Sequence, residues 1–405
     1  MSLRVPEVAV RAGNSFIEVD YGQHFKAGER IGGDVFLLSR QKEDGRIVCT
    51  LSDGLGSGVK ANVLANLTAT MAQRFVTQRL DVRTSATIIM NTLPVCAVRK
   101  ISYSTFSIAD ITADGRARII EYDNPPFLYL RGGRLLDPHK QTISLKREGA
   151  MKEEQLVLSE LDLEVGDRLL FMSDGVTQSG MGSPSFPLGW RRGALIEAVE
   201  EIVASQPDIG ARELSHAICN RARRNDGFTA RDDITCAVVY FRKPRQLLIV
   251  TGPPVDPDKD SWMASFFDKF DGKRIISGGS TASLVARELG RQVTVRLHSG
   301  CDDVPPASTM EGADLVTEGL ITLSKVSLAL EKRVDPSSLS PGPVRSYLEL
   351  LLDSDSVHFL VGTKINEAHQ DPNIPVEMEL RRTIVRKMEK ILEELYLKET
   401  EIHFL

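Results

Sequence analysis

An apolar, β-branched run, Ile47-Val48-Cys49-Thr50-Leu51-Ser52, ends abruptly in Asp53 and passes into Gly54-Leu55-Gly56-Ser57-Gly58, three glycines in five residues. Such a run reads as a buried strand that delivers one carboxylate to its C-terminal end. The glycines let the backbone turn sharply and approach a ligand with no Cβ in the way. On its own Asp-Gly is an ordinary turn dipeptide, but here the pattern repeats. Leu169-Leu170-Phe171-Met172-Ser173-Asp174-Gly175 is again strand, serine, acid and glycine. Ile31-Gly32-Gly33-Asp34-Val35-Phe36 sets another acid beside glycines, and Arg231-Asp232-Asp233 stands just ahead of the strand-like run Ile234 to Val239. Clustered carboxylates repel one another in a low-dielectric site and persist only where cations compensate them. An all-oxygen donor set selects magnesium, manganese or calcium over zinc or copper, and no His-rich or Cys-rich set competes with it.

At 405 residues the chain is long enough for two domains, each with its own core. A net charge of -5 argues against a nucleic-acid binder, which needs a basic face. Cys49, Cys96, Cys219, Cys236 and Cys301 form no CxxC pair and are odd in number, which fits a reducing cytoplasm. Cys49 and Cys236 sit inside strand runs as small buried hydrophobes. No apolar run approaches the ~20 residues needed to cross a bilayer. The expectation is a soluble, cytoplasmic protein that binds neither nucleic acid nor membrane; a homo-dimer is one assembly open to it.

Strand runs at Phe16–Asp20, Val35–Leu38, Ile47–Ser52, Ser104–Ile111, Ala117–Tyr122, Phe127–Leu130, Arg134–Leu136 and Thr235–Phe241 are joined by short turn signals such as Glu43-Asp44-Gly45 and Gly132-Gly133. Leu64, Leu67, Met71 and Phe75 mark the apolar face of a helix leaving the Asp53 loop. Helices are also expected on Leu195, Val199 and Ile202, and on Leu214, Ile218 and Ala222. Antiparallel strands with a few long helices suit an α+β domain, a β-sandwich with helices packed outside. Thr177–Trp190, rich in Gly, Ser and Pro, reads as a long loop beside a candidate site. Beyond the connector Arg242-Lys243-Pro244-Arg245 the grammar changes to alternating strands and helices. Strands at Leu247–Val250, Ile275-Ile276, Val293–Leu297 and Val357–Val361 alternate with helices at Ser261–Phe270 and Ala282–Leu289, one on Val316, Leu320, Leu323 and Leu330, and a long one on Leu380, Ile384, Met388, Ile391 and Leu395. This predicts an α/β domain with a mainly parallel sheet, and domains at 1–243 and 244–405.

Taken in order, Gly33-Asp34-x-Phe36, Ser52-Asp53-Gly54-x-Gly56, Ser173-Asp174-Gly175 and Asp232-Asp233-Ile234-Thr235 resemble the motifs of the metal-dependent protein phosphatases (PPM, type 2C). The form is closest to the bacterial sporulation-phosphatase, SpoIIE-like branch. Asn124-Pro125-Pro126-Phe127-Leu128-Tyr129-Leu130, followed by Arg131-Gly132-Gly133, resembles that branch's Pro-Pro turn. The resemblance spans roughly residues 10 to 243 and implies an αββα fold with a flap after Asp174. It implies hydrolysis of phosphoserine or phosphothreonine in a phosphoprotein by a water bridging two divalent cations, Mn or Mg, without a phosphoenzyme. Asp53 would bridge both metals, with the Gly54 carbonyl on one of them. Asp174 and Asp232 would complete the other metal's shell, with Asp233 in reserve. Asp34 would bind a metal or orient a coordinated water. Eukaryotic members carry a His after Asp-Gly where Leu55 stands, and a phosphate-binding Arg for which Arg30 is a poor match, so the general acid is left open. The other readings are a catalytically silent signalling scaffold and a small-molecule phosphoesterase.

The second domain resembles no recognised family, and its expected role is regulation or substrate selection. Ser277-Gly278-Gly279-Ser280-Thr281, between a strand and a helix, offers free backbone N–H groups to a small anionic effector; a docking partner is the alternative. His298-Ser299-Gly300-Cys301-Asp302-Asp303 holds ligand-type residues of weaker promise.

Overall fold

The computed structural model describes residues 15–41, 45–54, 56–78, 84, 88–89, 92, 104–145, 154–295, 304–364, 374–396 and 398–405. It divides into two compact units, Met1–Lys243 and Pro244–Leu405. No helix among the described residues is long and apolar enough to cross a membrane.

In the first unit β1 (Phe16–His24), β2 (Asp34–Arg40) and β3 (Ile47–Gly54) lead into α1 (Gly58–Thr77). Then come β4 (Ser104–Ile111), β5 (Arg116–Tyr122), β6 (Leu128–Arg131), β7 (Arg134–Leu136), β8 (Lys140–Leu145), β9 (Glu154–Asp162) and β10 (Arg168–Met172). A short α2 (Asp174–Thr177), α3 (Arg191–Ser205), α4 (Ala211–Asn225) and β11 (Ile234–Arg242) complete it. Two antiparallel sheets form, in the orders β1-β11-β10-β6-β7 and β2-β3-β4-β5-β9-β8. Period-two alternation explains how they stack. Leu169 and Phe171 face the opposing sheet, with Ile17, Cys49, Leu51, Ile111 and Val239 in the same inner core. Leu170 and Met172 face outward, under Leu195 and Val199 of α3 and Leu214 and Ile218 of α4. On the far side α1 covers the second sheet. This is the expected helix–sheet–sheet–helix sandwich.

One expectation about α1 is corrected. Its fully buried side is Ala61, Ala65, Thr68, Ala69, Ala72 and Val76; of the large residues Met71 and Phe75 pack partly buried against the sheet core, whereas Leu67 does not. Leu67 is 43% exposed, beside Val59 and Val63 at 64% and 58%. The reason lies at Gly54, where an added Cβ would stand 2.2 Å from the Ala61 carbonyl oxygen. The helix sits so close to the strand end that only small residues fit between. Cys49, Cys219 and Cys236 are buried, and burial pushes the Cys49 and Cys219 thiols up to about 12. Cys96 and Cys301 lie outside the described residues.

The second unit runs β12 (Gln246–Thr251), α5 (Asp260–Lys269), β13 (Lys273–Ser277), α6 (Gly279–Leu289), β14 (Val293–Val295), β15 (Ser308–Met310) and β16 (Leu315–Thr317). It continues with α7 (Leu320–Glu331), α8 (Pro343–Asp353), β17 (Ser356–Val361), α9 (Ile374–Tyr396) and β18 (Glu399–Phe404). Strands β16-β13-β12-β17-β18 pair in parallel, and β14-β15 extend the β16 edge in antiparallel fashion. Leu247 to Val250 are wholly buried, because α7, α8 and α9 cover one face of the sheet and α5 and α6 the other. Val316 lies on β16, not on the helix, which begins at Leu320. On α9, Ile384, Met388 and Ile391 are buried with Val385 and Leu392, whereas Leu380 and Leu395 are 44% and 38% exposed.

Candidate functional site

Strand pairing brings the acids together. In the β2–β3 ladder Asp34 stands directly opposite Asp53, so both carboxylates leave the same face at the same end of the sheet. Asp174 follows β10 and is the first residue of α2, where Gln178 Nε2 donates to its Oδ2 at 2.9 Å. Strands β10 and β11 are paired, which brings the Asp232-Asp233 turn beside Ser173-Asp174. Glycine is obligatory at Gly175, where a Cβ would stand 2.1 Å from the Asp233 carbonyl oxygen. The motif glycines at Gly54 and Gly175 therefore serve close packing of the acid-bearing loops.

The two adjacent acids of the last motif separate in role. Asp233 is buried, and its carboxylate accepts from the backbone N–H groups of Lys26 at 2.9 Å and Gly33 at 2.7 Å. It ties the β1–β2 loop to β11. Asp232 is half-exposed, with Lys26 Nζ 3.9 Å away. Asp34 is buried and accepts from the Thr235 hydroxyl at 2.6 Å.

Electrostatics report the crowding. Burial, then the charges of Asp34, Asp174, Asp232 and Asp233, push the Asp53 carboxyl up to about 9. Burial, with Asp233 and Asp174 adding, pushes Asp34 up to about 7, although hydroxyls of Thr235 and Ser173 offset part of this. Asp174 is also raised, by burial and then by Asp232. A divalent cation relieves this kind of strain, and an all-oxygen donor set suits a hard one. In donor type and charge, Asp34, Asp53, the Gly54 carbonyl, Asp174 and Asp232 fit such a group. In geometry they form a neighbourhood and not a closed cage: among the described residues no three His, Cys, Asp or Glu side chains are arranged to hold an ion. Asp232, half-exposed, is the member of the set least held in place.

Several other residues marked in the sequence fall elsewhere. Leu55 and the stretch His298–Asp303 lie outside the described residues. Arg30 is exposed in the β1–β2 loop. Thr235, quoted with its motif but given no role, is the partner of Asp34. In the second unit Gly278, at φ 129°, caps the N-terminus of α6 without a side-chain cap. Gly279 and Ser280 are exposed there, while Thr281 is fully buried and its Oγ1 has no hydrogen-bond partner.

Residues 43–242 match the family model for stage II sporulation protein E (SpoIIE). Stage II sporulation protein E of Bacillus subtilis (strain 168) is 20% identical over 215 residues, which are 53% of this chain and 24% of that protein. The chain thus spans about a quarter of that relative's length. Among solved structures, the phosphatase domain of SpoIIE from Bacillus subtilis, in a crystal form without domain swapping, superposes with TM-score 0.42 at 18% identity, over 57% of this chain and 95% of that one. A structure of the PP2C phosphatase domain and a fragment of the regulatory domain of the same protein gives TM-score 0.46 at 19% identity, over 56% and 62%.

Proposed function

Given that residues 43–242 form a SpoIIE-like domain of the PPM class, we propose that the protein hydrolyses phosphoserine or phosphothreonine in a protein substrate. Asp34, Asp53, Gly54, Asp174 and Asp232 would hold two divalent cations, manganese or magnesium. The observation that carries the reading is the convergence of Asp34, Asp53, Asp174 and Asp232 from four strand ends, with Asp53 at its electrostatic centre. Such a metal pair supplies charge neutralisation at the phosphoryl group and a water acidic enough to ionise near neutral pH.

The chain's own residues do the positioning. Asp233 fixes the loop that delivers Asp34. Thr235 donates to Asp34 Oδ2 and sets that carboxylate's orientation. Gln178 donates to Asp174 Oδ2 and sets that carboxylate's orientation. The purified chain should hydrolyse phosphoserine and phosphothreonine peptides slowly when manganese is added and stop when a chelator removes it. Inertness towards a peptide panel, with manganese still bound, would replace this reading by a non-catalytic scaffold.

For the second unit the reading is a small anionic ligand at Gly278, Gly279, Ser280 and Thr281. The N-terminus of α6 offers unpaired N–H groups and partial positive charge, and the unpartnered Thr281 hydroxyl lies beneath them. Calorimetry of the full chain should show binding of inorganic phosphate or a nucleotide. That binding should be lost in Gly279→Val, whose added Cβ meets no atom within 4 Å. No heat with any such anion would make this unit a protein-docking module.

A further inference from the structure

Beside Asp174 lies a cavity of about 440 Å³, lined by Asp123, Asn124, Pro125, Pro126, Met172, Asp174, Thr177, Gln178 and Arg192. Its size is within the ~300–1,000 Å³ of small-ligand sites and exceeds what a phosphoryl group fills. A larger cavity, about 830 Å³, is lined by Arg134, Arg168, Glu200 and Tyr240 among others and touches none of the clustered carboxylates. The Asp174 cavity has three kinds of wall. Pro125, Pro126 and Met172 are apolar. Asn124, Thr177 and Gln178 are polar but engaged. Asn124 takes a hydrogen bond from Thr105 and gives one to Ser107 at 3.0 Å. Thr177 and Gln178 both donate to Asp174.

The third wall is Arg192. Its guanidinium makes a long contact, 3.4 Å to the Phe127 carbonyl, and its charge also reaches Glu121. Glu121, the buried acid behind the Pro-Pro turn, already accepts from Phe127 N–H at 2.7 Å and faces Lys140 at 3.4 Å. Arg192 is the second residue of α3, and that helix has no acid in its first turn. A cation at a helix N-terminus opposes the helix dipole. Of the acids around it, Asp174 belongs to the carboxylate cluster and Glu121 is already bonded to Phe127 and Lys140, so guanidinium and dipole together favour an incoming anion, with Asp123 the remaining acid of the lining.

We propose that this cavity is a subsite for the substrate's peptide chain, in which Arg192 binds an acidic side chain next to the phosphorylated residue. The proposal rests on the phosphatase reading above. With the phosphoryl group at the carboxylate cluster, the flanking residues run along Pro125, Pro126 and Met172, and Asp123 offers an acceptor to peptide N–H groups. Arg192 is then a specificity residue: it sets which phosphoproteins are processed and leaves the chemistry to the acids.

The test uses the manganese-loaded full chain and three substrates: an aryl phosphate, a phosphoserine peptide flanked by glutamates, and the same peptide flanked by lysines. The glutamate peptide should be preferred about fivefold in kcat/KM, with the difference in KM. In Arg192→Glu that preference should vanish or invert, and Arg192→Lys should retain part of it. Thermal unfolding verifies that both variants fold. An unchanged preference, or an equal loss on all three substrates, overturns the subsite. Anisotropy of the labelled peptides separates the two claims. Charge-dependent binding without turnover removes the phosphatase reading and keeps the subsite, whereas turnover without charge preference does the reverse.

Discussion

Asp53→Asn is expected to lower manganese-dependent phosphatase turnover by about a thousandfold while making the metal-free protein more stable. The two effects share a cause. Asp53 lies among four other carboxylates and its carboxyl is pushed up to about 9, so the fold resists its ionised form. Asparagine keeps the shape and is neutral without a proton. It therefore removes the cost of keeping Asp53 protonated in the fold, worth about 1–2 kcal/mol in the range typical of stabilising active-site substitutions. The same loss would remove the carboxylate proposed to serve both cations, and a misplaced electrostatic group typically costs about 10²–10³ in rate. The measurements are kcat on a phosphopeptide at saturating manganese, and thermal unfolding in a chelator. Full activity in the variant would show that Asp53 is not a ligand. Lowered metal-free stability would show that the carboxylate is structural, as Asp233 is.

Metal binding should stabilise the protein more as pH rises. For Asp34 and Asp53 the folded-state values, about 7 and about 9, lie above the ordinary 3.8. The folded state thus holds protons that the unfolded state has released. Their contribution is fully present below the unfolded value and is lost as pH climbs through the folded ones. Metal-free protein accordingly loses stability between about pH 4 and pH 9 from these groups. A divalent cation at the proposed site would bind the ionised cluster and need no proton there. At a hundred times its Kd it adds about 2.7 kcal/mol, or about 5–10 °C in Tm for a unit of this size. The Tm difference between manganese-loaded and chelated protein should widen from about pH 6 to about pH 8.5. A gap that stays constant or narrows would mean that the metal binds elsewhere. In Asp53→Asn the widening should be blunted.

The sandwich and its acids were legible because each motif states its geometry locally: an apolar run fixes a strand, and glycine after the acid fixes where the strand stops. The placement of Asp34 opposite Asp53 is a matter of register, which no single motif contains. The contact face of α1 is only partly legible, because hydropathy finds Met71 and Phe75 but ranks Leu67 above Ala61, Ala65, Ala69 and Ala72. The deciding fact, the closeness of Gly54 to Ala61, belongs to the tertiary structure. The family resemblance ranks Asp232 ahead of Asp233, but that Asp233 is held by the backbone amides of Lys26 and Gly33 is not written in the sequence. Helix α8 was passed over although Gly342-Pro343 opens it and Tyr347, Leu348 and Leu351 form its buried side. Arg192 carried no signal at all. It follows a loop whose path the sequence does not specify.

The facing of Asp34 and Asp53 across the β2–β3 ladder makes their partnership a question of parity. Residues added between Gln41 and Gly45 would leave both acids where they are. One residue added within Ile47–Leu51 would turn Asp53 to the opposite face of the sheet, provided the rest of the ladder held. Two added residues would restore the face but carry the acid about 7 Å along the strand, out of reach of its partner. Length variation in this hairpin is therefore harmless at the tip and fatal to the carboxylate pair one step inside it.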